Sequence, residues 1–257
     1  FRSRFFVTNQ AGLPRVQPIE GADGVHFEIV DESWPRLARA ADGTPGVLLE
    51  PGRINRLQKA VTSCGVAAPS SATVSTTTSP DGRADACNYT PAGAAPTVSL
   101  PLSDVTPLAV GRDPDFGTGS EFVLSGFLHL PPLATGALTD GATLHFHVEG
   151  ARGPGFARNN SDCVLDRGAD GAPHIVSGGG CATEAFTGGW VRLIARMTAT
   201  SSELVVPIDA KGDVWSPQLE LGTDPTTPMA FDPADDDEND RQRLSDVVVF
   251  EAPGLAN

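Results

Sequence analysis

The chain is poor in the residues that most binding and catalytic sites draw on. It has one tyrosine, three tryptophans and five histidines in 257 residues, and only 19% of it is charged. So few tyrosines and tryptophans leave few flat platforms on which a sugar ring could stack. It also lacks the leucine, glutamate and lysine content that long amphipathic helices consume. No run approaches the roughly eighteen apolar residues of a membrane-spanning helix, so membrane insertion is not expected. There is no close C-x-x-C pair, which removes zinc-ribbon and thioredoxin-type motifs. No serine sits in a G-x-S-x-G setting and no E-x-D-x-x-E run occurs. Neither a nucleophile elbow nor the paired strand carboxylates of a glycosidase can therefore be drawn, and Glu121 and Glu149 stand at strand ends without a partner. The chain is expected not to be an enzyme. No secretory leader is present, yet the first residue is Phe1 rather than Met, so a leader or N-terminal domain ahead of it is expected.

What is abundant is glycine (28) and proline (22), with no collagen-like period, beside 40% hydrophobic residues. That mixture suits many short strands joined by turns. The net charge of −14 and isoelectric point near 4.6 repel phosphate backbones and exclude nucleic acid as a partner. The same charge can attract divalent cations.

Four cysteines allow three connectivities, and four reduced core cysteines are the alternative. They fall into two local pairs, and the pairing expected is Cys64 with Cys87 and Cys163 with Cys181. Each bond would close a loop of about twenty residues and contribute about 3 kcal/mol. Disulfides imply an oxidising compartment, and the expected location is extracellular or a virion surface. The two N-x-S/T sequons, at Asn88 and Asn159, are short enough to occur by chance.

Strand-like segments recur between turns: 1–10, 25–30, 46–50, 121–130, 142–150, 189–200, 203–209, 213–221 and 246–252. Their spacing predicts an all-β sandwich or barrel. RINRLQKAV could supply a turn or two of helix. A single domain spanning 1–257 is expected. In it, 1–30 is an N-terminal strand or assembly segment and 62–101 a long Ser/Thr/Ala-rich crossing.

Several motifs stand in a familiar order. Trp34-Pro35-Arg36 precedes GVLLEPGRINRL; later come GGWVRLIARMTATSS and GDVWSPQLELGTDPT. This order resembles bacteriophage virion modules, in which a "PR" strand leads to "GLLLE.A.TNLL", and "GW.R" and "WG.QLE.G..PT" strands follow near the end. The matching residues include Trp190, Arg192, Trp215, Gln218, Glu220, Gly222, Pro225 and Thr226, and the resemblance runs from about Trp34 to about Phe231. It implies a two-sheet antiparallel, concanavalin-like jelly roll of the carbohydrate-binding type, from a head or tail fibre. It implies surface-glycan attachment or capsid decoration as the role. The chain departs from the pattern where Gly52-Arg53-Ile54-Asn55 replaces Ala-Arg-Thr-Asn, and where Ser216-Pro217 replaces the glycine after the last tryptophan.

Read physically, Trp190 and Trp215 are expected to fill the sandwich core. Arg192 shares the face of Trp190, so one of the two is expected at a sheet edge. Gln218 and Glu220 point together and are expected to hydrogen-bond loop backbone.

For glycan contact, Trp34 is the best exposed aromatic, with Phe156, Asn159 and Asn160 in a Gly-rich loop as a second group. Asp235, Asp237, Asn239 and Asp246 have the one-three-five-twelve spacing of a calcium loop. Asp240 stands where an EF-hand needs glycine, which leaves a looser calcium loop, and calcium is the cofactor such a loop could hold. His145 and His147 share a strand face, with His129 on the strand before, a set that zinc or nickel could use. Their alternation with Leu144, Phe146 and Val148 is equally that of any half-buried strand, and no metal is expected there.

The sequence thus predicts a fibre, spike or adhesin domain that attaches to surface polysaccharide and assembles with copies of itself. A purely structural filament subunit, joined by insertion of its Phe-rich first strand into a neighbour, is the alternative. A polysaccharide-degrading enzyme is the weaker one.

Overall fold

The computed structural model describes residues 72–93, 95–100, 118–133, 141–154, 162–168, 170–175, 180–201, 206 and 208–228 with their side chains, together with Val25, Phe27, Asn55, Leu57 and Cys64; elsewhere it describes backbone strands only. In chain order the first strands are β1 (Arg2–Val7), β2 (Arg15–Gly21), β3 (Gly24–Val30), β4 (Leu37–Arg39), β5 (Pro45–Val47) and β6 (Arg53–Ile54). Next come β7 (Ala72–Thr77), β8 (Ala86–Pro91), β9 (Val98–Leu100), β10 (Leu108–Ala109), β11 (Glu121–His129) and β12 (Thr143–Glu149). Then follow β13 (Ala151–Arg152), β14 (Asn160–Arg167), β15 (Pro173–Ile175), β16 (Cys181–Ala185) and β17 (Trp190–Ala199). The last are β18 (Glu203–Leu204), β19 (Ile208–Leu221), β20 (Gln242–Arg243) and β21 (Asp246–Glu251). The protein is all-β, and the only helical element among the described residues is a 3-10 turn, Thr187–Gly189.

A curled antiparallel sheet system is organised by β19, whose two halves bind different neighbours. Its N-terminal half pairs with β9 and β12, and β12 continues to β14 and β15. Its C-terminal half pairs with β8 and β11; β11 continues to β17, which carries β13 and β16 on its far side. The halves meet at Gly212, whose φ of +93° favours glycine, and where an added Cβ would lie 3.2 Å from the Ala142 Cβ.

The two layers face each other across the main core. On β12 strict alternation turns Leu144, Phe146 and Val148 inward and leaves His145 and His147 half-exposed. Phe146 lies over Gly126 of β11, where an added Cβ would come within 3.3 Å of its ring tip, so a glycine here lets the sheets approach. Cys163 on β14 is bonded to Cys181 on β16, which staples one layer to the other. Cys64 is bonded to Cys87 on β8, so both expected pairings are present, and they are compatible with an extracellular protein.

β11 is buried along both faces, as the near-continuous apolar run FVLSGFL requires. Phe122, Leu124 and Leu128 belong to the main core. Phe127 belongs instead to a second cluster with Phe27, Ala86, Trp190 and Trp215. Phe27 stacks on Phe186 at 4.9 Å and meets Phe127 edge-on at 5.6 Å. Both tryptophans are therefore buried in the core, as expected, within this second cluster. Arg192 shares this environment, with its guanidinium 5.2 Å from the Phe127 ring centre. Neither it nor Trp190 marks an exposed sheet edge, since both are 5% accessible.

A buried polar network runs beside the aromatics. Asn55 donates to the Pro217 carbonyl and accepts from the Leu57 and Leu219 amides. Glu220 accepts from the Thr226 amide and hydroxyl and from Gln218. Arg192 donates to the Thr226 carbonyl and to Ser125. The loop-holding role expected of Glu220 is seen at the Thr226 amide, and Gln218 donates to the same carboxylate.

Between Ser125 and Phe127 the pairing of β11 with β19 shifts register, so Ser216 and Pro217 together oppose Gly126. This bulge gives Pro217 a place without a ladder hydrogen bond. Ser216 has φ +46°, the left-handed region that favours glycine. It stands where the resembled modules carry glycine. Ser216→Gly is expected to raise stability by about 1 kcal/mol, read as a higher urea midpoint with an unchanged slope.

Other expectations also shift. Within the crossing at 62–101 lie three strands, β7, β8 and β9. Of RINRLQKAV, where a turn or two of helix could stand, Arg53–Ile54 is strand, and most of the remainder lies outside the described residues. The run at 203–209 is divided between β18 and the start of β19, and β19 continues through the whole of 213–221. β1 is paired with β21 over its whole length.

Candidate functional site

The bend in β19 opens a cleft of about 230 Å³ between β8, β11 and the start of β12. Asn88, Thr90, His129, Lys211 and Asp213 supply its polar lining, and Pro91 and Pro131 its apolar walls. Tyr89 sits beneath; burial pushes its phenol well above the ordinary value.

Asp213 is the centre of the arrangement. Asn88 donates to its Oδ1 at 2.6 Å, and His129 Nδ1 lies 3.1 Å from Oδ2. Thr90 in turn donates to the Asn88 carbonyl oxygen at 2.9 Å. The other ring nitrogen of His129 lies 2.9 Å from the Gly188 carbonyl, and the ring stacks on Trp190 at 4.8 Å. Only an imidazolium can donate to both acceptors. The hydrogen bond to Asp213 accordingly raises His129 above the ordinary imidazole value, burial opposes it, and the Gly188 contact adds to it. The His129 bond holds Asp213 below the usual carboxylate range against burial, helped by Asn88. With both ring nitrogens committed, His129 braces the cleft and is not posed to move protons. Among the described residues, the carboxylate in the lining is that of Asp213.

A second cluster lies on the outward face of β12. His147 is directly opposite Asp162 of β14, and His145 is directly opposite Asp209 of β19. Asp162 Oδ1 contacts His147 Nδ1 closely and lies 3.0 Å from His145 Nε2. The distal nitrogens face further carboxylates, His145 Nδ1 at 3.5 Å from Asp209 and His147 Nε2 at 3.5 Å from Glu149. Burial draws the His147 imidazole down, but Asp162 and Glu149 outweigh it and leave it raised. Burial likewise raises Asp162, and the two histidines more than reverse that. The three ligand atoms of His145, His147 and Asp162 lie within 4.8 Å of one another.

His129, expected as a neighbour of His145 and His147, instead pairs with Asp213. Of the expected glycan residues, Trp34, Phe156 and Asn159 lie outside the described residues, and Asn160 is described only as the first backbone residue of β14. Of the calcium set, Asp235, Asp237 and Asn239 lie outside them, and Asp246 is the first residue of β21, opposite Val7. The cleft itself was missed. Its residues come from four segments of the chain, one of them inside the Ser/Thr/Ala-rich stretch, and their only advance signals were His129 and the Asn88 sequon. Asp162 and Asp209 carried no signal, because the cross-strand register that aligns them with the histidines is not written in either strand. No protein-family model matches the chain, and no curated protein matches it.

Proposed function

We propose that the chain is a non-enzymatic module of an extracellular fibre, spike or adhesin that attaches to surface polysaccharide through the cleft at the bend of β19. The observation that carries this reading is the lining of that cleft. An amide, a hydroxyl, an amine and a carboxylate converge in one open hollow with two prolines as walls, which matches the alternating donors, acceptors and apolar faces of a sugar. The site is pre-organised by His129 and by the Cys64–Cys87 bond beside it on β8. The resemblance to virion modules agrees with this reading, since its separate motifs meet in space: Asn55 of GRINRL binds Pro217 and Leu219 of SPQLEL.

The test is binding of the purified protein to arrayed and immobilised bacterial surface polysaccharides. A hit is expected, with affinity reduced about tenfold or more by Asn88→Ala and by Lys211→Ala, the loss of one or two good polar contacts. An array without hits would sink attachment, and release of reducing sugar from any polysaccharide would overturn the non-enzymatic reading.

The ends of the chain favour a second reading, a structural filament subunit. β1 and β21 form a two-stranded ribbon of their own, and the same pairing made between copies would join subunits by strand exchange. Regular filaments in negative stain, with no glycan binding, are the result expected of that reading.

A further inference from the structure

We infer that His145, His147 and Asp162 form a binding site for a divalent transition metal of the zinc class. The inference is independent of the polysaccharide cleft. The two histidines are two residues apart on β12, so their rings project from one face, and the register of β14 sets Asp162 directly opposite His147. The result is two imidazole nitrogens and one carboxylate oxygen in a single group, with all three ligand atoms inside 4.8 Å. Zinc bonds such ligands at roughly 2.0–2.2 Å, which places the corners of its tetrahedron about 3.3 Å apart. The carboxylate of Asp162 already lies 3.0 Å from His145 Nε2 and in contact with His147 Nδ1. A metal entering between them replaces the shared protons and needs only a small spreading of the side chains.

What distinguishes this group from a chance salt-linked surface is its outer shell. Metal-binding histidines generally present their far ring nitrogen to a carboxylate or carbonyl, which sets the tautomer and raises ligand basicity. Here both do so: His145 Nδ1 faces Asp209, and His147 Nε2 faces Glu149. Asp209 is itself held by the Ser99 hydroxyl. Three carboxylates around two imidazoles also make the patch attractive to a cation.

The donor set selects the metal. Calcium and magnesium prefer oxygen alone, whereas imidazole with one carboxylate suits zinc, nickel or copper. Competing thiolates are absent, since all four cysteines are in disulfides. The rings are about a quarter exposed and Asp162 somewhat more, so the site opens to solvent. Three protein ligands leave one tetrahedral corner for water or for an oxygen brought by a bound partner.

The experiment is a calorimetric titration of zinc chloride into the full chain, stripped with EDTA and dialysed at neutral pH, with cobalt(II) as a spectroscopic substitute. One zinc per chain is expected, with the visible bands of tetrahedral cobalt. His145→Ala and His147→Ala are each expected to weaken binding by about 100-fold, and Asp209→Asn by about tenfold through the outer shell. Asp162→Asn keeps the side-chain volume and serves as the ligand variant that leaves strand packing undisturbed; it is expected to weaken binding while the far-ultraviolet circular dichroism spectrum in EDTA stays that of the unsubstituted protein. Absence of saturable zinc uptake would overturn the assignment. Uptake that survives the His145→Ala/His147→Ala double substitution would do the same, because the metal would then be bound elsewhere.

Discussion

Replacing Glu220 with alanine is expected to remove about 3–5 kcal/mol of stability, because several buried donors lose their acceptor at about 1–3 kcal/mol each. Glu220 is fully buried at the end of β19. Its carboxylate takes the Thr226 hydroxyl at 2.6 Å, the Thr226 amide at 3.2 Å and the Gln218 amide at 3.1 Å. Arg192 holds the carbonyl of the same threonine at 2.6 Å. The loop after β19 is thus clasped at Thr226 between an acidic and a basic side chain. Alanine removes the acceptor that the amide, the hydroxyl and Gln218 share in a buried site, and each buried group left without one costs about 1–3 kcal/mol. Glu220→Gln retains an acceptor and is expected to lose less. Urea unfolding followed by tryptophan fluorescence measures both, since Trp190 and Trp215 are buried in the neighbouring aromatic cluster. A midpoint for Glu220→Ala equal to that of the unsubstituted protein would show that the clasp contributes nothing.

Removing the Cys163–Cys181 bond, as the Cys163→Ala/Cys181→Ala pair, is expected to cost about 3 kcal/mol from the entropy of the loop it closes. For a chain of this size that corresponds to a fall in melting temperature of about 6–12 °C. The sequence separation is only 18 residues, but the bond joins strands that pair in different layers, β14 with β12 and β16 with β17. Its loss therefore loosens the packing between layers as well as the local loop. Hydrogen exchange is expected to rise first in β15 and β16, which each pair with a single neighbour, while β11 and β17 stay protected. Unchanged exchange in β16 would argue that the layers are held together by the core alone.

Strand identity was legible wherever apolar and polar residues alternate, because that alternation is a property of one strand and needs no partner. β11, β12, β17 and β21 all appear close to where the pattern places them. The low-charge stretch 62–101 hid β7 to β9, since Ser, Thr and Ala mark no strong inward face. The pairing of the four cysteines was legible from proximity along the chain. The need for glycine-like backbone after Trp215 was visible only as a departure from the resembled pattern, and the left-handed φ of Ser216 gives that departure a physical meaning.

Composition, strand periodicity and cysteine spacing were enough to determine an all-β protein with two local disulfides, because each is decided by residues near one another in the chain. The tertiary structure alone decided what lies on the second face of β11, where Phe27 arrives from β3 to meet Phe127, a hundred residues away. It alone brought Asn88, His129 and Asp213 around one cleft, and Asp162 and Asp209 against two histidines. Alternation says which residues share a face, but the partner across that face is set by strand order and register, which depend on how every other element packs.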